Sequence, residues 1–189
     1  MRMCAKSIGC LCFLVAAVSA AGWATQVVHL SPQDMGRQSD IVVRGNVIEV
    51  EAYWNAKHTK IFTRTRIAIE EAYKGTVGPV IDVIQLGGTV GNVKVTVHGA
   101  VEWKPGEEVL IFAEAYDASS YQISGLSQGK FGIERDPQTG RAYVQAPSLG
   151  GMSLLGTPPQ QGPVAGARTQ RVPLTEFVRQ ALGRQTGEE

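Results

Sequence analysis

Most of the chain alternates apolar and polar residues with a period of two, which is typical of strands that bury one face. The clearest run covers residues 61–73, where Ile67 and Ile69 share one parity and Arg64 and Arg66 share the other. Side chains of a strand point alternately to its two faces. The run therefore predicts a long strand that is buried on one side and solvated on the other.

The preceding run, residues 41–54, changes parity in its middle. Ile41 and Val43 share one parity, whereas Val50 and Ala52 share the other. An extra residue in one strand of a pair lets both halves face the same core and bends the strand. We therefore predict a β-bulge near Val47 and Ile48, in a bent first strand of the kind found in small closed barrels.

Further short apolar runs continue to the middle of the chain and are separated by turn residues. Lys104-Pro-Gly-Glu107 is typical of a type II turn, and Val109–Ala113 after it is apolar at every position, which predicts the most central strand. The other predicted strands are 80–86, 93–97, 121–126, 130–134 and 141–145.

One short helix is predicted before these strands and one after them. Ser31 is a suitable N-cap with Pro32 at the first helical position, and Ser39-Asp40 ends that helix. Near the other end, Thr175 is the predicted cap of an amphipathic helix that stops at Gly183. The expected fold is mainly β: a small antiparallel β-barrel with a short N-terminal helix and a C-terminal helix.

The first 24 residues are typical of a signal peptide. Arg2 and Lys6 precede an apolar run and then small residues that suit a signal peptidase, with the cut expected after Ala24 or, alternatively, after Ala20 or Ala21. All three cysteines lie in this segment, so an exported mature chain would form no disulfide. We expect a periplasmic or extracellular protein.

The remaining 165 residues divide by composition. We expect a β-barrel domain over residues 25–146, a Gly/Pro-rich linker over 147–171 and a C-terminal helix over 172–189. The apolar run in the first 24 residues is shorter than the roughly 20 residues that cross a bilayer, and no later segment is more apolar. No integral membrane segment is therefore expected after cleavage.

The charge balance argues against a nucleic-acid partner. The mature chain would carry 16 basic and 17 acidic residues, whereas phosphate binding requires a basic surface. The three histidines lack a second ligand at a usual spacing, so no metal or other cofactor is expected. Glu107 and Glu108 flank a turn and are expected to be solvated.

One motif matches a catalytic pattern. Gly125-Leu-Ser-Gln-Gly129 has the letters of the nucleophile elbow of α/β-hydrolases, with Ser127 as nucleophile. The elbow needs a helix after it and a histidine downstream, but a strand pattern follows and every histidine lies upstream. A glycine-flanked bend between two strands is the favoured interpretation, and we expect no enzyme.

Aromatic residues near the predicted strand ends are candidates for a binding site. Rings at the rim of an OB barrel can contact a ligand. Trp54 and Trp103 could instead fill the core. The candidate ligand-binding residues are Tyr53, Trp54, Trp103, Tyr116 and Tyr121.

Two segments carry a resemblance to a known family. Residues 39–47 (SDIVVRGNV), followed by an alternating strand that ends in Glu71-Ala-Tyr-Lys-Gly75, resemble the opening of netrin-like modules, which include the tissue inhibitors of metalloproteinases. Three further segments, Gly87-Gly-x-x-Gly91 and residues 106–112 and 125–131, are similar to a group of uncharacterised exported bacterial proteins. The resemblance implies an OB fold and a secreted metalloprotease as a possible partner.

The inhibitory mechanism of that family does not carry over. Its inhibitors chelate a protease zinc through an N-terminal cysteine pinned by disulfides, whereas this mature chain would begin at Thr25 without cysteine. We expect an exported, non-enzymatic binding module for a protein partner or a glycan. The alternatives are a structural protein associated with the envelope and, less favoured, a serine hydrolase that uses Ser127.

Overall fold

The computed structural model describes residues 26–145, 153–155 and 171–183. Its helices are α1 (Pro32–Gln38) and α2 (Leu174–Ala181), and a 3-10 turn covers Leu126–Gly129. The strands are β1 (Gln26–Val28), β2 (Ile41–Trp54), β3 (Ile61–Lys74), β4 (Val80–Leu86), β5 (Gly88–Val90), β6 (Val93–Val95), β7 (Glu108–Ala115), β8 (Ser120–Ile123), β9 (Lys130–Arg135), β10 (Ala142–Val144), β11 (Ser153–Leu155) and β12 (Val172–Pro173). The predicted class, mainly β with two helices, is confirmed.

Eight strands form one sheet in the order β12-β10-β9-β7-β2-β3-β4-β8, and β8 also pairs with β7. Five strands, β2, β3, β4, β8 and β7, are thereby linked in a ring. Its seam is uneven, because β4 and β8 pair through only Asp82 with Ser120 and Val83 with Tyr121. That seam is parallel, whereas the expected barrel was antiparallel throughout.

The bend in β2 is where the sequence predicts it. The register between β2 and β3 shifts between Val47 and Glu49, so Ile48 has no partner on β3 and its side chain is 51% exposed. Two further register shifts, beside Val42 and beside Gly45, were not predicted. A Cβ on Gly45 would lie 2.3 Å from the carbonyl oxygen of Ala68, so only glycine fits this close approach.

Strand β7 is the centre of the structure, as predicted. Residues 109–113 are all fully buried, because side chains of alternate parity enter two different cores. The barrel core lies inside the ring and the helix core lies under the two helices. The barrel core includes Ile41, Val43, Val47, Ile67, Val83 and Ile111, and the helix core includes Met35, Val42, Phe112, Phe131, Phe177 and Val178.

Helix α1 has the predicted ends. The Asp34 amide donates to Ser31 Oγ at 3.1 Å, and the Ser39 amide donates to the Met35 carbonyl at 3.0 Å. These bonds satisfy main-chain groups that a helix leaves free at its ends.

Helix α2 begins earlier than predicted. Its N-cap is Pro173, and the predicted cap Thr175 lies inside the first turn as an exposed residue. This start puts Leu174 in the helix core, where it is 6% exposed. Residues 172 and 173, just before the helix, form β12 and pair with β10. Gly183 has a φ of 65°, which agrees with the predicted stop.

Within the predicted linker, the structure describes residues 153–155 and 171. Ser153–Leu155 forms β11 and pairs in parallel with Gln26–Val28. The rest of the predicted linker up to residue 170, the predicted signal peptide and residues 184–189 lie outside the described residues.

Candidate binding face

The side chains of β2, β3 and β4 that point away from the barrel core form a continuous surface, which we call the outer face. Strand register brings its members together in rows, because residues directly opposite on neighbouring strands lie side by side. Glu49 lies opposite Arg66 and Arg66 opposite Asp82, and the next rows hold Glu51 with Arg64 and Tyr53 with Phe62. The outer face comprises Glu49, Glu51, Tyr53, Phe62, Arg64, Arg66 and Asp82, and its edge on β4 continues through Ile84 and Leu86, which lie opposite Arg64 and Phe62.

Ion pairs hold both guanidinium groups on this face. Arg66 donates from Nη1 to Glu49 at 3.1 Å and from Nε to Asp82 at 3.2 Å, and Arg64 donates to Glu51 at 2.5 Å. All five side chains are substantially solvent-exposed, so these pairs add little to stability. Their consequence is positional, since they fix the two guanidinium groups relative to the neighbouring strands.

Tyr53 lies at one end of the face. Its ring stacks on Phe62 with centroids 6.2 Å apart. Burial raises the pKa of its hydroxyl, the positive charge of Arg64 lowers it, and the nearby groups of Tyr116 and Asp117 raise it. Tyr116 and Asp117, on the loop 116–119 between β7 and β8, are thus near enough to Tyr53 for their charges to affect it.

That loop is held in one shape by Asp117. Its Oδ1 accepts hydrogen bonds from the amides of Ser119 and Ser120, both at 2.8 Å. Bonds from these two residues lower the pKa of the Asp117 carboxyl, which stays ionised well into acid. The ring of Tyr116, at the start of the loop, is 49% exposed. A rigid loop with an exposed ring therefore borders the face.

Trp54 lies at the rim, next to the loop 55–60 that joins β2 to β3. Its ring stacks on His58 with centroids 6.2 Å apart. The side-chain oxygen of Asn55 accepts from the amides of Thr59 at 2.8 Å and Lys60 at 3.1 Å, which closes the loop. Trp54 is thus adjacent to Tyr53 along the chain but contacts the loop.

The other two candidates lie elsewhere. Trp103 and Tyr121 both pack against the barrel core. Trp103 Nε1 donates to Gln85 Oε1 at 3.4 Å, and the ammonium of Lys130 lies 5.1 Å from the centre of the Trp103 ring. The structure therefore places Tyr53 within electrostatic range of Tyr116, leaves Trp54 at the rim and packs Trp103 and Tyr121 against the barrel core.

Sequence reasoning missed Phe62, Arg64 and Arg66 as members of the site. Their parity within β3 is visible in the sequence, but their neighbours are set by the register with β2. The bulge at Ile48 changes which residues of β2 face them. A register assignment that included the bulge would have found these side chains.

Ser127 lies in the predicted bend. Gly125 takes a left-handed conformation with φ 66°, the 3-10 turn follows, and β9 starts at Lys130. The Ser127 side chain is 3% exposed, and its Oγ has no hydrogen-bond partner among the described residues. A buried hydroxyl at a bend matches the structural interpretation of the G-x-S-x-G motif.

In the described part of the chain, no group of three histidine, cysteine or acidic side chains is arranged to hold a metal ion. No described helix is long and apolar enough to cross a membrane. Comparison with known proteins gives no match, either to a family model or to a curated sequence. The function is therefore argued from the geometry of the outer face.

Proposed function

We propose that this protein is an exported, non-enzymatic binding module with an OB-type barrel, and that its outer face recognises a protein partner. The observation that carries the proposal is one exposed face on which the stacked rings of Tyr53 and Phe62 lie next to the ion-paired guanidinium groups of Arg64 and Arg66. A periplasmic or extracellular location remains part of the proposal.

The order of strand pairing supports an OB-type barrel. In the ring, the first strand β2 pairs with the second, β3, and the fourth, β7, while the third, β4, pairs in parallel with the fifth, β8. A partly open, five-stranded Greek-key barrel is the OB type. Such barrels bind ligands on the face of strands two and three, next to the loops after strands one and four. Here those elements are β3, β4 and the loops 55–60 and 116–119.

The residue types on the face favour a protein ligand. Tyrosine and arginine are enriched in protein interfaces, because each combines a large contact area with hydrogen bonding. The carboxylates of Glu49, Glu51 and Asp82 outnumber the guanidinium groups of Arg64 and Arg66, which disfavours a polyanion such as nucleic acid. A secreted metalloprotease is the partner that the netrin-like resemblance implies.

Burial supports the non-enzymatic part of the proposal. A catalytic nucleophile has to contact its substrate. Ser127 is only 3% exposed, so its hydroxyl is not accessible to a substrate in this conformation. The exposed side chains of the outer face form ion pairs with one another.

Affinity capture tests the proposal. The full chain, exported by its own producing cell with an affinity tag, is recovered with its partners and compared with the double variant Tyr53→Ala, Tyr116→Ala. We expect one protein to be enriched with the wild type and lost with the double variant. The matched control is Tyr143→Ala, which should retain the partner, because Tyr143 lies on β10 and two strands, β9 and β7, separate β10 from β2.

The outcome also separates the other interpretations. A partner that survives the double variant would contradict recognition by the outer face. If glycan fractions bind and no protein does, the proposed class of ligand is wrong, but the outer face is still the binding site. Enrichment of neither would favour the structural, envelope-associated alternative. Thermal unfolding of each variant confirms that loss of binding is not loss of folding.

A further inference from the structure

A slot opens in the wall of the ring where β4 and β8 separate. The two strands pair at Val83 and Tyr121 and have no pairing beyond these residues. The space that follows has a volume of about 310 Å³ and lies between the end of β4, the end of β8 and the loop 97–101. This volume lies at the lower end of the range of ligand pockets.

The walls of the slot are apolar. Ile84 and Leu86 line it from β4, Ile123 lines it from β8, and Leu126 lines it from the 3-10 turn. Leu86 is 43% exposed and Leu126 is 45% exposed, so both still have apolar surface to bury. Among the described residues that line the slot, none carries a charge. An uncharged, apolar occupant matches these walls.

Strand geometry aims main-chain groups into the same space. The Gly87 amide donates to the Ile61 carbonyl on β3. Along an antiparallel pair, every second residue of a strand bonds to the partner strand and the residues between them point their main-chain groups the other way. Leu86, the neighbour of Gly87, therefore directs its N–H and C=O away from β3. The Ser124 amide donates to the Phe112 carbonyl on β7, so Ile123 likewise directs its groups away from β7. In the described chain, neither residue has a strand partner on that side.

We propose that this slot binds an extended, uncharged peptide segment of a partner protein, which pairs with β4 as an added strand and buries an apolar side chain between Leu86 and Leu126. A free strand edge is complemented by another extended chain, because only a peptide offers N–H and C=O groups at the matching spacing. A lipid would contact the apolar walls but would leave the main-chain groups of Leu86 and Ile123 without hydrogen bonds. The slot adjoins the outer face, because Leu86 lies opposite Phe62, but the strand pairing proposed here does not use Tyr53 or Tyr116.

The floor of the slot is ordered without a ligand. Gln85 donates from Nε2 to the Val101 carbonyl at 3.0 Å and accepts from the Val101 amide at 3.2 Å. The Ser127 amide donates to the Gly99 carbonyl at 3.1 Å, which ties the loop to the 3-10 turn. A preformed slot lowers the ordering cost of binding.

The test uses a phage-displayed library of random linear heptapeptides as the probe, selected on the full, exported chain. We expect enrichment of peptides with alternating apolar residues and no net charge. The affinity of the synthesised peptides should fall at least about tenfold in Leu86→Lys, since lysine on a strand edge opposes pairing. Val80→Lys is the matched control, because Val80 lies on the same strand with the same 43% exposure but outside the slot, and it should retain binding.

A second measurement tests the main-chain contacts. A copy of the best peptide with alternate amides N-methylated should lose binding if the peptide pairs as a strand. Absence of any enriched peptide, enrichment of charged peptides, or equal affinity for wild type and Leu86→Lys would overturn the proposal. Binding that is lost in Tyr53→Ala, Tyr116→Ala but kept in Leu86→Lys would assign the peptide to the outer face instead. The slot and the outer face are thus tested separately.

Discussion

Arg44 Nη1 donates a hydrogen bond to Glu108 Oε1 at 2.7 Å, linking β2 to β7 on the outside of the ring. Both side chains are only 15% exposed. Glu108 also accepts from Arg135 Nε at 2.8 Å and Nη2 at 2.6 Å, and Arg44 contacts Glu70 on β3. Glu108 was expected to be solvated because it flanks a turn, and instead it joins β2, β7 and β9.

Replacing Glu108 tests this network. Burial raises the pKa of its carboxyl, but the hydrogen bonds from Arg135 and Arg44 outweigh burial and the net pKa is lowered. A lowered folded pKa stabilises the protein above the unfolded pKa of Glu, about 4.3, and this stability is lost as the pH falls through the folded pKa. We expect Glu108→Gln to lower the free energy of unfolding by about 2 kcal/mol at pH 7.

Urea unfolding of the wild type and the variant, at pH 7 and in acid, measures this effect. The difference between them should shrink as the pH falls from about 4.3, the unfolded pKa of Glu, through the lowered folded pKa of Glu108, below which the wild-type carboxyl is protonated as well. Glu51→Gln, which affects an exposed pair with Arg64, is the control and should change stability by less than about 1 kcal/mol. A pH-independent difference for Glu108→Gln would contradict the electrostatic explanation.

Gly36 determines how closely the two helices pack. A Cβ at this position would lie 2.1 Å from the carbonyl oxygen of Ala181 in α2, a distance that real atoms do not adopt. Alanine normally stabilises a helix relative to glycine by about 1 kcal/mol. Here we expect Gly36→Ala to destabilise the protein by about 2 kcal/mol, since α2 has to move away.

Hydrogen exchange and urea unfolding measure the effect of Gly36→Ala. Exchange should accelerate in residues 174–181 before it accelerates in the barrel, because the substitution acts on the docking of α2. Gly78→Ala is the control, since the nearest atom to its Cβ is 3.8 Å away. Equal stability of the wild type and Gly36→Ala would contradict the close approach of α2 to Gly36 in α1.

The features that sequence predicted best are local ones. The cap at Ser31, the turn before Glu107 and the bulge at Ile48 each follow from residues close in the chain. The fold class could be predicted from the alternation of apolar and polar residues, because this alternation shows which face of each strand is buried.

The features that sequence missed depend on distant partners. Phe177 packs on Phe131 with ring centroids 4.7 Å apart and on Phe112 at 6.3 Å. The apolar face of α2 is visible in the sequence, but no residue near α2 in the chain indicates which strands this face covers. In the candidate site, Tyr53 and Trp103 are both aromatic residues near strand ends, and only the register places one on the outer face and the other on the barrel core.

Ser127 provides a test of the hydrolase alternative. Its buried hydroxyl has no hydrogen-bond partner among the described residues, so Ser127→Ala removes an unsatisfied group and should raise the free energy of unfolding by about 1 kcal/mol. The control is Ser124→Ala, whose buried hydroxyl lies 2.8 Å from Ser39 Oγ, and it should lower stability by about 1 kcal/mol. Labelling by a serine-reactive fluorophosphonate that disappears in Ser127→Ala would establish an enzyme.

The two tryptophans named as candidates should respond differently to truncation. Trp103 packs on the barrel core, bonds to Gln85 and carries Lys130 over its ring, so Trp103→Ala should lower the free energy of unfolding by about 3 kcal/mol. Trp54 stacks on His58 at the rim, and Trp54→Ala should cost about 1 kcal/mol. Urea unfolding with a tyrosine fluorescence probe measures both.

Binding separates the two positions further. Because Trp54 adjoins Tyr53 and the loop 55–60, Trp54→Ala should weaken capture of the partner while the fold persists. Trp103→Phe keeps an aromatic ring in the barrel core and should retain capture. The opposite result, in which Trp54→Ala unfolds the protein and Trp103→Ala does not, would contradict these positions. Trp54 would then be the ring that supports the core, and it could not form the rim of the outer face beside Tyr53.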